Sequence, residues 1–233
     1  MMGKYVHEYF EVYKENFQSL ILLTVIVILP MYVLMEIQPI IFEVRTASDQ
    51  IGMSVYNVFI SVLFATLGAA PLVYFLTIVD EEQRPYVKTC LFFLEYGFGF
   101  FVFVVLYSFL SAAGMLLFVL PGIIIMAALF APPIVMCFRN EGLWKNIKFA
   151  MQVTKSNFFK IFFMIIATGG IELLIKYGIN LIVQAVSPYY VTYVLMNLLV
   201  SILLFPFYCC VYKVNFEKWA FTKTFKKEKR III

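Results

Sequence analysis

Apolar residues fall into long unbroken runs separated by short polar segments, a pattern that predicts membrane-crossing helices. About 20 mainly apolar residues are needed to cross roughly 30 Å of hydrocarbon as an α-helix. Six stretches meet that requirement: 17–35, 54–79, 97–120, 122–138, 158–178 and 190–212. Transmembrane β-strands would show short alternating segments instead, and none are evident. The third and fourth stretches are nearly continuous, and Pro121-Gly122 offers a tight turn between them. Proline fixes φ and removes a donor, while glycine tolerates a reversal. A re-entrant hairpin, its loose backbone covered by protein, is the rival arrangement for this pair.

The segments between the runs set the orientation. Lys4, Lys14, Arg84, Lys88, Arg139, Lys145, Lys148, Lys155, Lys160 and the seven cations from Lys213 to Arg230 would share one side, 16 of the 18 basic residues. The other side holds Arg45, with Lys176 near the end of the fifth run. Cationic loops stay in the cytoplasm, so both termini are expected there. The first run follows an amphipathic segment and lacks a small-x-small cleavage site, so it is expected to be a span and not a signal peptide. Cys90, Cys137, Cys209 and Cys210 all fall at expected cytoplasmic ends. A reducing compartment disfavours disulfides there, leaving them as small packing residues. Acylation of Cys209 or Cys210 would require a suitable host.

A threefold pattern overlies the spans. Lys4–Asn16 puts Tyr5, Tyr9, Val12 and Tyr13 on one helical face and leads into Asn16-Phe17. Pro85–Tyr96 leads into Gly97-Phe98. Glu141–Ser156 puts Leu143, Ile147, Ala150 and Met151 on one face and leads into Asn157-Phe158. Apolar stripes of this kind suit helices lying in the interface. Each even-numbered span then carries proline before its cytoplasmic exit: Pro71, Pro132-Pro133 and Pro206. Proline kinks a helix, and neighbours in a bundle can re-satisfy the freed carbonyls. The expected fold is therefore an all-α, polytopic six-helix bundle built from three pseudo-repeated units, each an interfacial helix plus a hairpin, with 213–233 a basic cytoplasmic tail. The rival explanation is that proline is simply frequent in membrane helices.

The run Pro121-Gly122-Ile123-Ile124-Ile125, then Phe130-Ala131-Pro132-Pro133, Glu141-Gly142, Leu143-Trp144-Lys145 and Lys155-Ser156-Asn157-Phe158 resembles the membrane domain attached to some bacterial glycerophosphodiester phosphodiesterases, and related stand-alone six-span bacterial proteins. Asn16-Phe17 fits the same pattern. The resemblance spans nearly the whole chain on short apolar motifs. It implies a six-span bundle in a bacterial plasma membrane, without implying phosphodiesterase activity. No hydrophilic stretch here is long enough for a catalytic barrel, which takes about 250 residues.

Composition agrees with a membrane protein: 63% hydrophobic and 14% charged residues, against about 25% charged in a typical soluble domain. The 26 Phe, 15 Tyr and mean hydropathy of +0.92 exclude a disordered chain, a nucleic-acid-binding domain and a disulfide-stapled module. His7 is the only histidine, so a zinc site lacks ligands and His7 is expected to be a solvated helix residue. Intramembrane aspartyl proteolysis lacks its two acids, because Asp49 and Asp80 are read as loop residues. Neither a G-x-S-x-G elbow nor a phosphate-cradling glycine loop is present. No catalytic residue, metal or cofactor is expected.

Two features carry the functional interest. Glu172 and Lys176, four residues apart in the fifth run, share one helix face. They would line a polar path or contact a partner; alternatively they form a satisfied pair near the outer interface, with Lys176 snorkelling. Asn57, Asn180, Gln184 and Asn197 are candidates for interhelical hydrogen bonds, and small clusters at Gly68-Ala69-Ala70, Ser111-Ala112-Ala113-Gly114 and Gly169-Gly170 for close helix approach. In the tail, Phe216, Trp219, Phe221 and Phe225 interleave with Lys218, Lys223, Lys226, Lys227, Lys229 and Arg230. Aromatics anchor at headgroup level and each cation near an anionic leaflet adds about 1 kcal/mol, so anionic headgroups are the expected contacts. The functional expectation is a non-enzymatic accessory protein binding lipid or a membrane partner, with no role for nucleic acid. A small transporter or exporter component, including immunity to a membrane-active peptide, is the alternative.

Overall fold

The computed structural model describes residues 2–41, 47–80, 82–138, 143–186 and 189–228, with side chains at 6–27, 29–30, 55–80, 82–118, 120–138, 144–185, 189 and 191–220. Every described element is a helix: α1 Met2–Glu15, α2 Phe17–Ile41, α3 Ala47–Ile78, α4 Pro85–Leu117, α5 Val119–Leu129, α6 Ala131–Met136, α7 Leu143–Val186 and α8 Tyr190–Glu228. Four contain stretches long and apolar enough to cross a membrane: Val55–Ile78, Pro85–Leu117, Trp144–Ala185 and Val191–Ala220. Phe17–Val27 and Leu120–Met136 are shorter apolar helical stretches.

The chain turns between α4 and α5 at Phe118, whose extended backbone (φ −160°, ψ 146°) interrupts the helix. The expected turn at Pro121-Gly122 is therefore displaced by three residues. Pro121 instead occupies the first turn of α5, where a missing N–H costs no helical bond. Gly122 serves close packing: a Cβ there would meet the Met115 backbone at 2.7 Å, and one on Gly114 would meet Gly122 Cα at 2.9 Å. No described residue has a positive φ, so contact between α4 and α5, and not chain reversal, is what demands glycine.

Other boundaries also differ from the sequence pattern. α4 runs unbroken through Gly97, so the Pro85–Tyr96 segment is continuous with its apolar part. α3 begins at Ala47, which puts Asp49 in its first turn and not in a loop. α7 continues past Gly178 to Val186, and α8 carries the basic tail onward as helix to Glu228. Gly169 and Gly170 have open space where a Cβ would stand, so they do not mediate close approach. Two Asn-Phe junctions do break the chain. A turn at Asn16 separates α1 from α2, and Asn157 (φ −128°, ψ 20°) kinks α7.

α8 is the hub of the bundle, touching α1, α2, α3, α6 and α7, while α3 packs along α4 and α4 along α5. The fully buried core includes Phe75 and Val73 from α3, Val104 from α4, Ile134 from α6, Ile161 from α7 and Phe216 from α8. Cross-helix bonds lie close to the prolines. Pro71 and Pro206 lie inside α3 and α8, whereas Pro132 and Pro133 sit in the first turn of α6, after a break at Phe130. The Cys137 thiol donates to the Ala70 carbonyl beside Pro71 at 3.4 Å, and Thr77 donates to the Cys137 carbonyl at 3.4 Å. Tyr107 donates to the Met126 carbonyl at the end of α5, 3.2 Å, and Tyr13 to the Leu203 carbonyl one turn before Pro206, 3.1 Å. Burial first, and Cys210 second, push the Tyr13 hydroxyl above its ordinary value, which keeps it a neutral donor.

Candidate functional site: a polar cavity among apolar helices

The amphipathic seams of α7 and α8 converge on one cavity of about 350 Å³. On α7, Thr168, Glu172 and Lys176 recur every four residues and stack on one face. On α8, Ser201, Phe205, Tyr208 and Tyr212 follow the same helical period. Opposite them stand Ser61 and Thr66 of α3, Tyr107 of α4 and Met126 of α5, with Phe64, Phe130 and Ile165 completing apolar walls.

The pair singled out in the sequence therefore lines the cavity. Lys176 Nζ lies 2.6 Å from Glu172 Oε1, with the side chains 27% and 33% exposed. Because α7 continues to Val186, Glu172 stands midway between Phe158 and the helix end. An isolated charge in hydrocarbon costs about 2.5–3.5 kcal/mol or more, and the partner one turn away offsets that cost.

The hydroxyls around the pair differ in one respect. Thr66 donates to the Val62 carbonyl at 2.7 Å, Thr168 to Met164 at 3.0 Å, and Tyr212 meets the Thr168 hydroxyl at 3.2 Å. Tyr107 is occupied with Met126. The Tyr208 hydroxyl has no hydrogen-bond partner although the residue is only 5% exposed. Glu172 lines the same cavity as Tyr208 and Tyr212. An orphaned buried hydroxyl is costly, about 1–3 kcal/mol, and calls for a partner.

Chemically, the cavity presents one carboxylate, one ammonium and a free phenol in apolar surroundings. Among the described residues no group of three His, Cys, Asp or Glu converges as metal ligands. His7 pairs with Glu11 at 3.2 Å on the exposed face of α1. A second polar link between α7 and α8 comes from Asn197, which donates to Asn180 at 2.9 Å. The three tyrosines escaped the sequence reading. The i, i+4, i+8 polar stripe of Thr168, Glu172 and Lys176 could have located the wall, and the matching spacing of Tyr208 and Tyr212 its opposite side.

The expected headgroup-binding tail divides differently. Trp219 packs edge-on against the fully buried Phe216, at 5.2 Å between ring centroids, so these two rings belong to the bundle. Lys218 pairs with Glu8, and Asn215 donates to the Tyr9 hydroxyl at 2.9 Å, fastening α1 along α8. Lys223, Lys226 and Lys227 lie on the last turns of α8, their side chains outside the described residues; Lys229 and Arg230 lie outside them altogether. The described helices define a membrane protein by length and apolar composition. No family model, curated protein or solved structure matches the chain.

Proposed function

We propose that this is a non-enzymatic, six-crossing protein of a bacterial plasma membrane, with both termini in the cytoplasm, acting as an accessory protein that binds lipid through its bundle and its basic rim. The cavity carries this reading. Its apolar walls, polar floor and volume fall within the range of ligand sites, roughly 300–1,000 Å³. Support for six crossings comes from the cation distribution and from adding Phe17–Ile41 and the α5–α6 segment to the four long apolar helices. The Asn16 and Asn157 junctions support the pseudo-repeat, and the glycerophosphodiester phosphodiesterase membrane domain is the family proposed on the short motifs. Lys223, Lys226, Lys227, Lys229 and Arg230 would meet anionic headgroups. Purification in mild detergent followed by native mass spectrometry tests the proposal: bound lipid should survive delipidating washes. A chain that retains none and binds none on reconstitution refutes it.

A charged pair in the part of α7 beyond Asn157, lining a cavity, favours transport as the second reading. Vesicle flux abolished by Glu172→Leu/Lys176→Leu, with folding intact, would support it.

A further inference from the structure

We propose that the cavity recognises a small zwitterionic group, one that carries a protonated N–H-bearing amine and an oxyanion a few bonds apart. This inference rests on the ligand-binding reading above and names the chemistry of that site.

Charge balance comes first. Glu172 and Lys176 already neutralise each other. A bare anion or cation entering the cavity would leave net charge in a low-dielectric setting, which is costly unless paired. A zwitterion adds none. Donor and acceptor capacity comes second. Lys176 carries three N–H donors and Glu172 two acceptor oxygens, and their mutual contact uses only part of either set. An incoming amine can donate to Glu172 while its oxyanion accepts from Lys176, giving charge-assisted bonds at both ends. The third observation is independent of the pair. Tyr208, 95% removed from solvent, brings an unpartnered hydroxyl to the same cavity. A phenol donor there can supply a further bond to the bound group. A quaternary ammonium has no N–H to give Glu172, so the site should prefer a primary amine.

Two sources share this chemistry: an aminoalkyl phosphodiester lipid headgroup, and a free amino acid or glycerophosphoethanolamine. Full-length protein in nanodiscs of otherwise equal composition should retain phosphatidylethanolamine about tenfold more strongly than phosphatidylcholine or phosphatidylglycerol, read by native mass spectrometry. Titration with glycine or glycerophosphoethanolamine, both net neutral, in detergent forms the second arm. Variant-sensitive binding there, without lipid preference, would assign the soluble source.

Tyr208→Phe is the decisive variant. It removes only an unsatisfied hydroxyl, so the empty protein should melt at the same temperature or higher, while binding weakens by about fivefold or more. A purely structural tyrosine would not separate those two readouts. Glu172→Gln/Lys176→Gln should abolish the amine preference. Retention of lipid unchanged in both variants, or equal retention of all three lipids, overturns the zwitterion site when the soluble zwitterions also show no variant-sensitive binding, and leaves lipid binding elsewhere on the protein standing. Absence of any bound lipid or soluble zwitterion overturns both.

Discussion

Asn16 and Asn157 make the same local bond at opposite ends of the sequence. Each side-chain amide donates to the carbonyl four residues earlier, Val12 and Val153, at 3.2 Å, and each stands immediately before a phenylalanine. Asparagine competes in this way with the backbone for a helical carbonyl, yet Asn197 and Asn215 make the same bond inside an unbroken α8, so the setting decides whether the chain bends. At Asn16 the result is a turn between α1 and α2; at Asn157 it is a kink within α7.

Replacing that amide should straighten α7. Spin labels at the exposed Trp144 and Phe163 positions would then move apart in Asn157→Leu, toward the roughly 28 Å of straight helix between those sites. An unchanged distance distribution would show that the kink is imposed by packing.

The α4–α5 crossing predicts a contrast between glycines. Gly122→Ala drives a methyl into the Met115 backbone at 2.7–2.8 Å, and neither helix can yield cheaply. A loss of about 1–3 kcal/mol is expected, read as a lower melting temperature in detergent. Gly170→Ala meets nothing within 4 Å and should be neutral or slightly stabilising.

Much of this architecture was legible from residue order alone, and the misses share a cause. Hydropathy located the apolar helices because lipid forces every backbone polar group to pair internally. It could not locate boundaries between helices that are apolar on both sides. Pro121-Gly122 has turn chemistry, yet the chain bends at Phe118 because Gly114 and Gly122 must meet, a requirement visible only in three dimensions. At Gly97, likewise, α4 stays continuous where the chain turns at Asn16 and kinks at Asn157. The charged pair was legible through its i, i+4 spacing. Tyr208, which lines the same cavity, was not, because nothing in an apolar, Tyr-rich run distinguishes a lipid-facing phenol from a buried one.

Removing Glu172 alone should cost more than removing the whole pair. Glu172→Leu strands the Lys176 ammonium in apolar surroundings, whereas Glu172→Leu/Lys176→Leu leaves no charge to solvate. Melting temperatures in the order wild type, double variant, Glu172→Leu are expected, with a non-additive cycle. Additive losses would mean the two side chains are solvated independently.

The Tyr13 contact should depend on the proline that opens α8. Tyr13→Phe is expected to cost about 0.5–1.5 kcal/mol in the wild type and markedly less in a Pro206→Ala background, where the helix can close on its own carbonyls. Equal costs in the two backgrounds would detach the bond from the kink.

Threading of the chain through the bilayer is tested most directly by cysteine labelling on intact cells. Phe118, 75% exposed at the α4–α5 turn, would replace its side chain by cysteine, while native Cys90 near Lys88 reports the opposite face and Cys137, Cys209 and Cys210 stay buried. A membrane-impermeant maleimide should label Phe118→Cys from outside and reach Cys90 only after permeabilisation. Protection of Phe118→Cys in intact cells, or external labelling of Cys90, would contradict the six-crossing, cytoplasmic-ends arrangement.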